Sequence, residues 1–464
     1  MKTPDPRRQT AALFVLLLGL LLGALLTAER AAAAKRGALP GGPASVTPHR
    51  PGGRATGEER PARLTKSYLG HDAGEPTMGV GTDGIPFVAA AEALTFSGEA
   101  PDVDVMRGDA ANRTWKIVSP KVADERTHSH TGDPYVFVDN HSEGSRIFTI
   151  DLQLFACSLL SFSDDGADSW ITNPFGCGRP VNDHQTLFSA PPVSSQTIGY
   201  PNVLYYCFHD VVSSSCTKSL DGGVTFVASG GTSFTNAEGN PNEFCGGLHG
   251  HGYGDDEGTI YIPKVHCGEA WLAISRDEGA TWTRVRVSDL PAAGHEASVA
   301  TDDAGNIYYA FIGRDLLPYL VRSRDGGKTW SRPYMVGAPG VRETSLPSLD
   351  AGSEGHVVVG YMGSESPSTA DAVKKKWHGY LTSTTDATVR LPHLRSARIN
   401  PRRDPLLRGQ CAQTKCGPVW DFIDVVIDRR ANVWGVFVDG CMQLCVRGGA
   451  QNDAAEGFVV RWPR

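Results

Sequence analysis

Two His-x-His pairs, His128/His130 and His249/His251, are the first residues in this sequence whose spacing suggests metal chemistry. Residues two apart on a strand share one face, and neutral imidazole nitrogens are common metal ligands. With His295 and Glu343 a coordination set can be drawn, so His249, His251 and His295 are the candidate ligands of a divalent metal; calcium held by acidic residues is the alternative. A wider polar series surrounds them. Counting back seven residues from Thr82, Asn140, Asp256, Asp302, Asp350 and Asp428 reaches Glu75, Asp133, His249, His295, Glu343 and Asp421, with His184, His130, His251, Glu296 and Arg342 alongside. Carboxylates and imidazoles brought to one place can transfer protons or hold a polyhydroxylated ligand. The competing reading of any one member is a solvated loop residue, or one hydrogen-bonded to a neighbouring repeat.

The elements that must position these residues are short strands. The chain has 464 residues, 40% of them apolar, yet its 53 Gly and 30 Pro interrupt it too often for long helices. Four segments align without gaps: S-D-D-G-A-D-S-W from Ser163, S-L-D-G-G-V-T-F from Ser219, S-R-D-E-G-A-T-W from Ser275 and S-R-D-G-G-K-T-W from Ser323, with starts 56, 56 and 48 residues apart. A weaker fifth copy runs from Gly108 to Trp115. In this motif, the Asp box, the Asp accepts hydrogen bonds from the turn backbone, the Gly permits positive φ and the aromatic residue packs inward. Such residues shape hairpins; they are not expected to be catalytic.

A second repeat interleaves with the first: D-D-E-G-T-I-Y-I-P from Asp255, D-D-A-G-N-I-Y-Y-A-F from Asp302 and D-R-R-A-N-V-W-G-V-F from Asp428. Each is a turn feeding an apolar strand. One such hairpin plus one Asp-box hairpin makes a unit, and units start near residues 75, 133, 184, 249, 295, 343 and 421. The expected fold is therefore an all-β propeller of about seven four-stranded blades, with residues 457–462 as a closing strand. Six or eight blades are the alternative counts, because residues 365–415 are poorly patterned.

Residues 1–34 read as an export signal: Lys2, Arg7 and Arg8 precede an apolar run from Ala11 to Ala28, followed by small residues at Ala31 to Ala34. An uncleaved membrane anchor is the alternative. Residues 35–66, rich in Pro, Gly, Ala and Arg, have the composition of a tether, and the folded domain is expected from Ser67 onward. The formal net charge is −7, and the first 34 residues hold four basic and two acidic residues, leaving −9 on the remainder. That balance argues against a nucleic-acid partner. All ten cysteines follow residue 150, which in an exported chain favours disulfides. Cys207 with Cys216, Cys157 with Cys177, and Cys245 with Cys267 are the expected pairs; Cys411, Cys416, Cys441 and Cys445 are expected to pair among themselves.

The repeated Asp boxes make residues 75 to 462 resemble the sialidase-like BNR-repeat propellers. Sialidases use an arginine triad for the substrate carboxylate, a Tyr nucleophile with a Glu partner and an Asp acid/base, outside the two-carboxylate scheme of most glycosidases. The segment His295-Glu296-Ala297-Ser298-Val299, followed by a strand ending at Arg314, is similar to the sialidase stretch in which that Glu precedes a triad Arg. The resemblance implies that Glu296 polarises the nucleophile and that Arg314, with Arg342, binds a carboxylate. Two features depart from it: the early R-I-P motif is missing, and Trp420 and Asp421 stand where a Tyr is expected. A lone arginine recognises a carboxylate less specifically than a cluster.

Three functions are consistent with these residues. The first is an exported exo-glycosidase acting on glycans through a degenerate sialidase site, with Glu296, Arg314, Arg342, Glu343 and Asp421 as catalytic candidates and Glu75, Asp133, His184, His249 and His295 binding substrate. The second is a non-catalytic propeller that binds glycans or proteins. The third is a metal-dependent propeller enzyme such as a polysaccharide lyase.

Overall fold

The computed structural model describes residues 64–91, 103–120, 133–141, 144–153, 157–173, 182–210, 213–235, 248–366, 375–409, 411, 416–419, 421–448 and 455–464. His128, His130, Trp420 and residues 1–63 lie outside them; Thr65 and Lys66, at the end of the expected tether, already belong to the first strand Thr65–Asp72.

Seven antiparallel sheets follow one another along the chain, each of four strands, the sixth extended by the two-residue strand Leu407–Arg408. Their innermost strands are Gly74–Val80, Tyr135–His141, Asp183–Ala190, Tyr253–Gly254, Ala292–Thr301, Glu343–Ala351 and Asp424–Ile427, which we number as blades 1 to 7. The propeller expectation and the count of seven both hold. Second strands such as Ile307–Gly313 (IYYAFIG) and Val203–His209 (VLYYCFH) are buried along their whole length, because each is covered on both faces by its neighbouring blades. That accounts for their continuous apolar runs, while the outer strand Trp115–Ile117 is half-buried to exposed.

The ring closes through the expected strand, with the N-terminal strand added outside it. Glu456–Trp462 is the third strand of blade 7, and the outermost strand is Thr65–Asp72 from the start of the domain, paired with it in antiparallel register. N- and C-terminal segments thus share one sheet, so the ring cannot open without breaking that ladder.

The Asp boxes form as their chemistry requires. At Ser275, the hydroxyl donates to Asp277 (2.8 Å), Gly279 N–H donates to that hydroxyl (2.9 Å), and Thr281 donates to Asp277 through both N–H (2.8 Å) and Oγ1 (2.6 Å). The same pattern recurs at Asp165, Asp221 and Asp325. The weak fifth copy is a variant of it, with Thr114 Oγ1 donating to Asp109 at 2.8 Å. A sixth box that sequence reasoning missed lies in blade 6, where Thr384 replaces Ser and His393 replaces Thr as donors to Asp386. An arginine of the preceding blade clamps several boxes: Arg146 reaches the Gly222 carbonyl at 3.0 Å, Arg276 that of Gly326 at 2.6 Å and Arg322 that of Ala387 at 2.6 Å.

Disulfides join Cys207 to Cys216, Cys411 to Cys416 and Cys441 to Cys445. Cys267 is also oxidised; the expected partner Cys245, the Cys177 residue and the Cys157 side chain lie outside the described residues. Among the described residues no helix is long and apolar enough to cross a membrane.

Candidate functional site

A belt of side-chain oxygens around the axis sets the register of the inner strands. Thr77 accepts from Val136 N–H (2.8 Å), Thr186 from Gly252 (3.0 Å), Ser298 from Leu349 (3.0 Å), Ser348 from Val425 (3.2 Å), and Asp424 from Met78 (2.9 Å), which closes the ring from blade 7 to blade 1. Each residue is bonded to the strand of the next blade, so these positions are equivalent. Two residues earlier in each blade stands a second ring: Glu75, Asp133, His184, His249, Glu296, Leu346 and Phe422. Glu75, Asp133, His184 and Leu346 share left-handed φ values of 50°, 55°, 51° and 56°, and β-bulges lie at this point in blades 1, 3, 5 and 6. Such backbone is costly for non-glycine residues and is held here by contacts between blades.

Those contacts are polar. The Glu75 carboxylate accepts from Asp133 N–H at 3.1 Å, and the Asp133 carboxylate accepts from His184 N–H at 3.2 Å. His184 Nε2 and Glu296 Oε1 form an ion pair at 2.9 Å that links blades 3 and 5. Burial pulls the His184 imidazole toward neutrality, but the charge and hydrogen bond of Glu296, with Asp133 and Asp421, overcome it and raise its pKa to about 10. Asp183, immediately before His184, is hydrogen-bonded to the Asp133 side chain; burial first, then the Asp133 charge, lifts its pKa to about 7, with Asp421 adding to the effect. Asp183 therefore keeps its proton to near neutral pH.

His184, His251 and Phe422 pack together at the axis, with Phe422 edge-on to His184 (5.6 Å between centroids) and to His251 (4.7 Å). Tyr135 is edge-on to His251 at 4.8 Å. Toward the other end of the inner strands runs a channel of about 540 Å³, lined by residues of all seven blades including Tyr135, Phe188, His251, Asp350 and Asp424; none of the second-ring residues lines it. Burial raises both Asp350 and Asp424 to about 7.

The structure brings together Glu75, Asp133, His184, His249, Glu296 and Asp421 of the expected set. Counting back from the turns was one residue out in blades 5 and 7. Asp255, Asp302 and Asp428 are equivalent, each accepting from the side chain six residues on (Tyr261, Tyr308, Trp434), and the count began at the residue after this Asp in blade 4 but at the Asp itself in blades 5 and 7. The ring positions are therefore Glu296 and Phe422, beside His295 and Asp421. His295 lies in the inner strand of blade 5, and its side chain is outside the described residues.

In blade 6 the ring residue is Leu346. Glu343, three residues earlier, is buried and paired with Lys375. Arg314 and Arg342 are exposed on the face where the inner strands begin: Arg314 N–H bonds the Pro291 carbonyl, and Arg342 N–H that of Ser364. Asp183, Tyr135, Phe422 and Lys375 were not foreseen; Asp183 directly precedes His184, and Phe422 directly follows the counted Asp421.

Among the described residues no three His, Cys, Asp or Glu side chains are grouped to hold a metal ion. Burial lowers His249 and His251 to about 3, so both imidazoles are neutral, and His249 Nδ1 is bonded to the Gly250 carbonyl at 2.8 Å.

No family model matches the chain, and no curated protein matches it. Among solved structures it is similar to a protein of unknown function from Dyadobacter fermentans (13% identity, TM-score 0.44, covering 87% of this chain and 99% of that one). It is also similar to the NanB sialidase of Streptococcus pneumoniae (11%, TM-score 0.41, 89% and 70%). A third is a PL25 ulvan lyase bound to -[GlcA(1-4)Rha3S]- (12%, TM-score 0.46, 80% and 93%).

Proposed function

We propose that this chain is an exported Asp-box propeller that acts on glycans at the mouth where its inner strands begin, as a glycoside hydrolase working with carboxyl groups. The observation that carries this reading is the Asp133–Asp183 pair beside the His184–Glu296 ion pair. A carboxyl with a pKa of about 7 holds a proton under conditions where an ordinary carboxylate has lost it, and so can deliver it to a glycosidic oxygen. Glu296, ion-paired with His184, is the complementary carboxylate that stabilises positive charge at the sugar or activates water. Asp421 adds negative charge on the same side. Arg314 and Arg342, exposed on this face, serve as rim contacts for a longer glycan. The disulfides among the described residues support export.

A mouth dominated by carboxylates repels an anionic sugar, so neutral glycans are the expected substrates and sialosides the poorer ones. The test is a panel of neutral and acidic chromogenic glycosides, with Asp183→Asn and Glu296→Gln as controls. Turnover of neutral glycosides that both substitutions abolish supports the reading, and no turnover across the panel overturns it.

A second reading, a propeller that binds glycans without cleaving them, is favoured by the use of the Glu75 and Asp133 carboxylates as acceptors for the next blade's backbone N–H. Saturable binding on a glycan array without turnover, weakened by Glu296→Gln, would select it.

A further inference from the structure

The seam of the ring holds a cluster that neither the mouth nor the channel uses. Lys66 lies on the outermost strand of blade 7, Asp439 at the end of the second strand Val433–Asp439, and Glu456 at the start of the third, directly opposite Asp439 in register and opposite Asp72 on its other side. The Lys66 ammonium reaches across the third strand. It sits 3.7 Å from the centroid of the Phe458 ring and 4.3 Å from that of Tyr68, and its Nζ is 3.9 Å from Asp439 Oδ2. Tyr68 joins the two: its hydroxyl accepts from Lys66 Nζ at 2.8 Å and donates to Asp439 at 3.2 Å. The Asp439 side chain is only 5% exposed and that of Lys66 23%.

We propose that Lys66 and Asp439 condense into an intramolecular isopeptide bond, with Glu456 as the proton carrier. The Lys66 Nζ lone pair attacks Cγ of the protonated Asp439 carboxyl, the N–C bond forms, and Glu456 takes a proton from the nitrogen. Glu456 returns that proton to the departing hydroxyl, the C–O bond breaks, and one water leaves. No electrons change hands and no co-reactant is needed.

Each requirement of that step has a counterpart in the cluster. Amide formation needs a neutral amine and a protonated acid, the forms that an apolar setting favours. Burial lowers Lys66 from the usual lysine range, opposed by the charges of Asp439, Asp404 and Glu456, and burial raises Asp439 to about 6 and Glu456 above its usual value. The strand ladder holds both partners in place, and orientation of this kind is worth effective molarities on the order of 10⁵ M or more. The bond would close nearly the whole ring covalently, since the two residues lie on strands from opposite ends of the domain. Such a link acts like a disulfide, by limiting the freedom of the unfolded chain, and needs no oxidant.

Peptide mapping of the full-length purified protein, reduced, alkylated and digested with trypsin, tests this directly. The expected product is a branched peptide joining residues 64–107, uncleaved at Lys66, to residues 431–447, with the mass of the two less one water. Recovery of Lys66-cleaved peptides and an unmodified 431–447 overturns the proposal. Lys66→Arg keeps the charge but cannot condense, so the branched species must disappear and the melting temperature must fall by several degrees while circular dichroism stays that of a β-protein. Glu456→Gln must also lose the branched peptide; its persistence there overturns the role of Glu456.

Discussion

His184 and Glu296 meet at 2.9 Å although they belong to blades 3 and 5, and the ring of His184 also contacts His249 and His251 of the blade between them. The imidazolium at this crossing is surrounded by the carboxylates of Asp133, Glu296 and Asp421. It is the cation around which the acidic mouth is assembled.

That arrangement makes stability depend on pH in a defined direction. A histidine whose folded pKa of about 10 exceeds its free value of about 6.5 contributes fully below the free value, and the contribution is lost as pH rises toward 10. Asp183, Asp350 and Asp424, raised to about 7 from about 4, act in the same sense, their contributions being lost between those values. The thermal midpoint is therefore expected to fall steadily from mildly acidic pH to pH 10. His184→Gln should flatten the part above neutrality in melts followed by fluorescence, and a midpoint that rises with pH would contradict the assignment.

The proposed acid/base pair predicts a kinetic signature. Asp183→Asn removes the titrating carboxyl, and kcat on any active glycoside should fall about 100-fold or more, the usual contribution of a general acid. The basic limb of the wild-type pH profile, set by loss of the proton with an apparent pKa near 7, should disappear from the residual activity. An unchanged limb would assign the proton to another group.

Lys375 and Glu343 offer a test of burial. Lys375→Met leaves the Glu343 carboxylate buried without its cation and should cost about 3–5 kcal/mol in denaturant unfolding. Adding Glu343→Leu should recover most of that loss, since removing both charges also removes their desolvation. A double variant as unstable as the single one would mean that Lys375 acts mainly by packing against Trp377.

The Asp boxes predict stability effects without functional ones. Asp277→Ala removes the acceptor for Ser275 and for both Thr281 donors and should destabilise by about 1–2 kcal/mol in the same unfolding measurement. Glycan turnover or binding should be unaltered at a temperature where the variant is folded. Altered specificity would show that the box is coupled to the mouth.

Fold was readable because its determinants are local. An Asp box closes all its hydrogen bonds within a few residues, so it leaves the same trace wherever it occurs, and the variant at Asp386 escaped notice because His393, seven residues on, supplies the donor. The site was readable only in outline: Glu75, Asp133, His184, Glu296 and Asp421 were all singled out, while Asp183, next to His184, and Phe422, next to the counted Asp421, were passed over. A strand alternates faces at every residue, so an offset of one exchanges the residue at the axis for its neighbour.

From its sequence alone this protein is an Asp-box propeller of about seven blades with polar inner-strand starts, since repeat spacing and turn chemistry are properties of consecutive residues. Only the tertiary structure decided that Glu296 rather than His295 occupies the ring position, that Asp183 pairs with Asp133, and that Lys66 lies against Asp439 at the seam. Those partners are far apart in the chain. β-Bulges, turn lengths and the packing of neighbouring blades select them, and none of these can be read from the spacing of residues within one repeat.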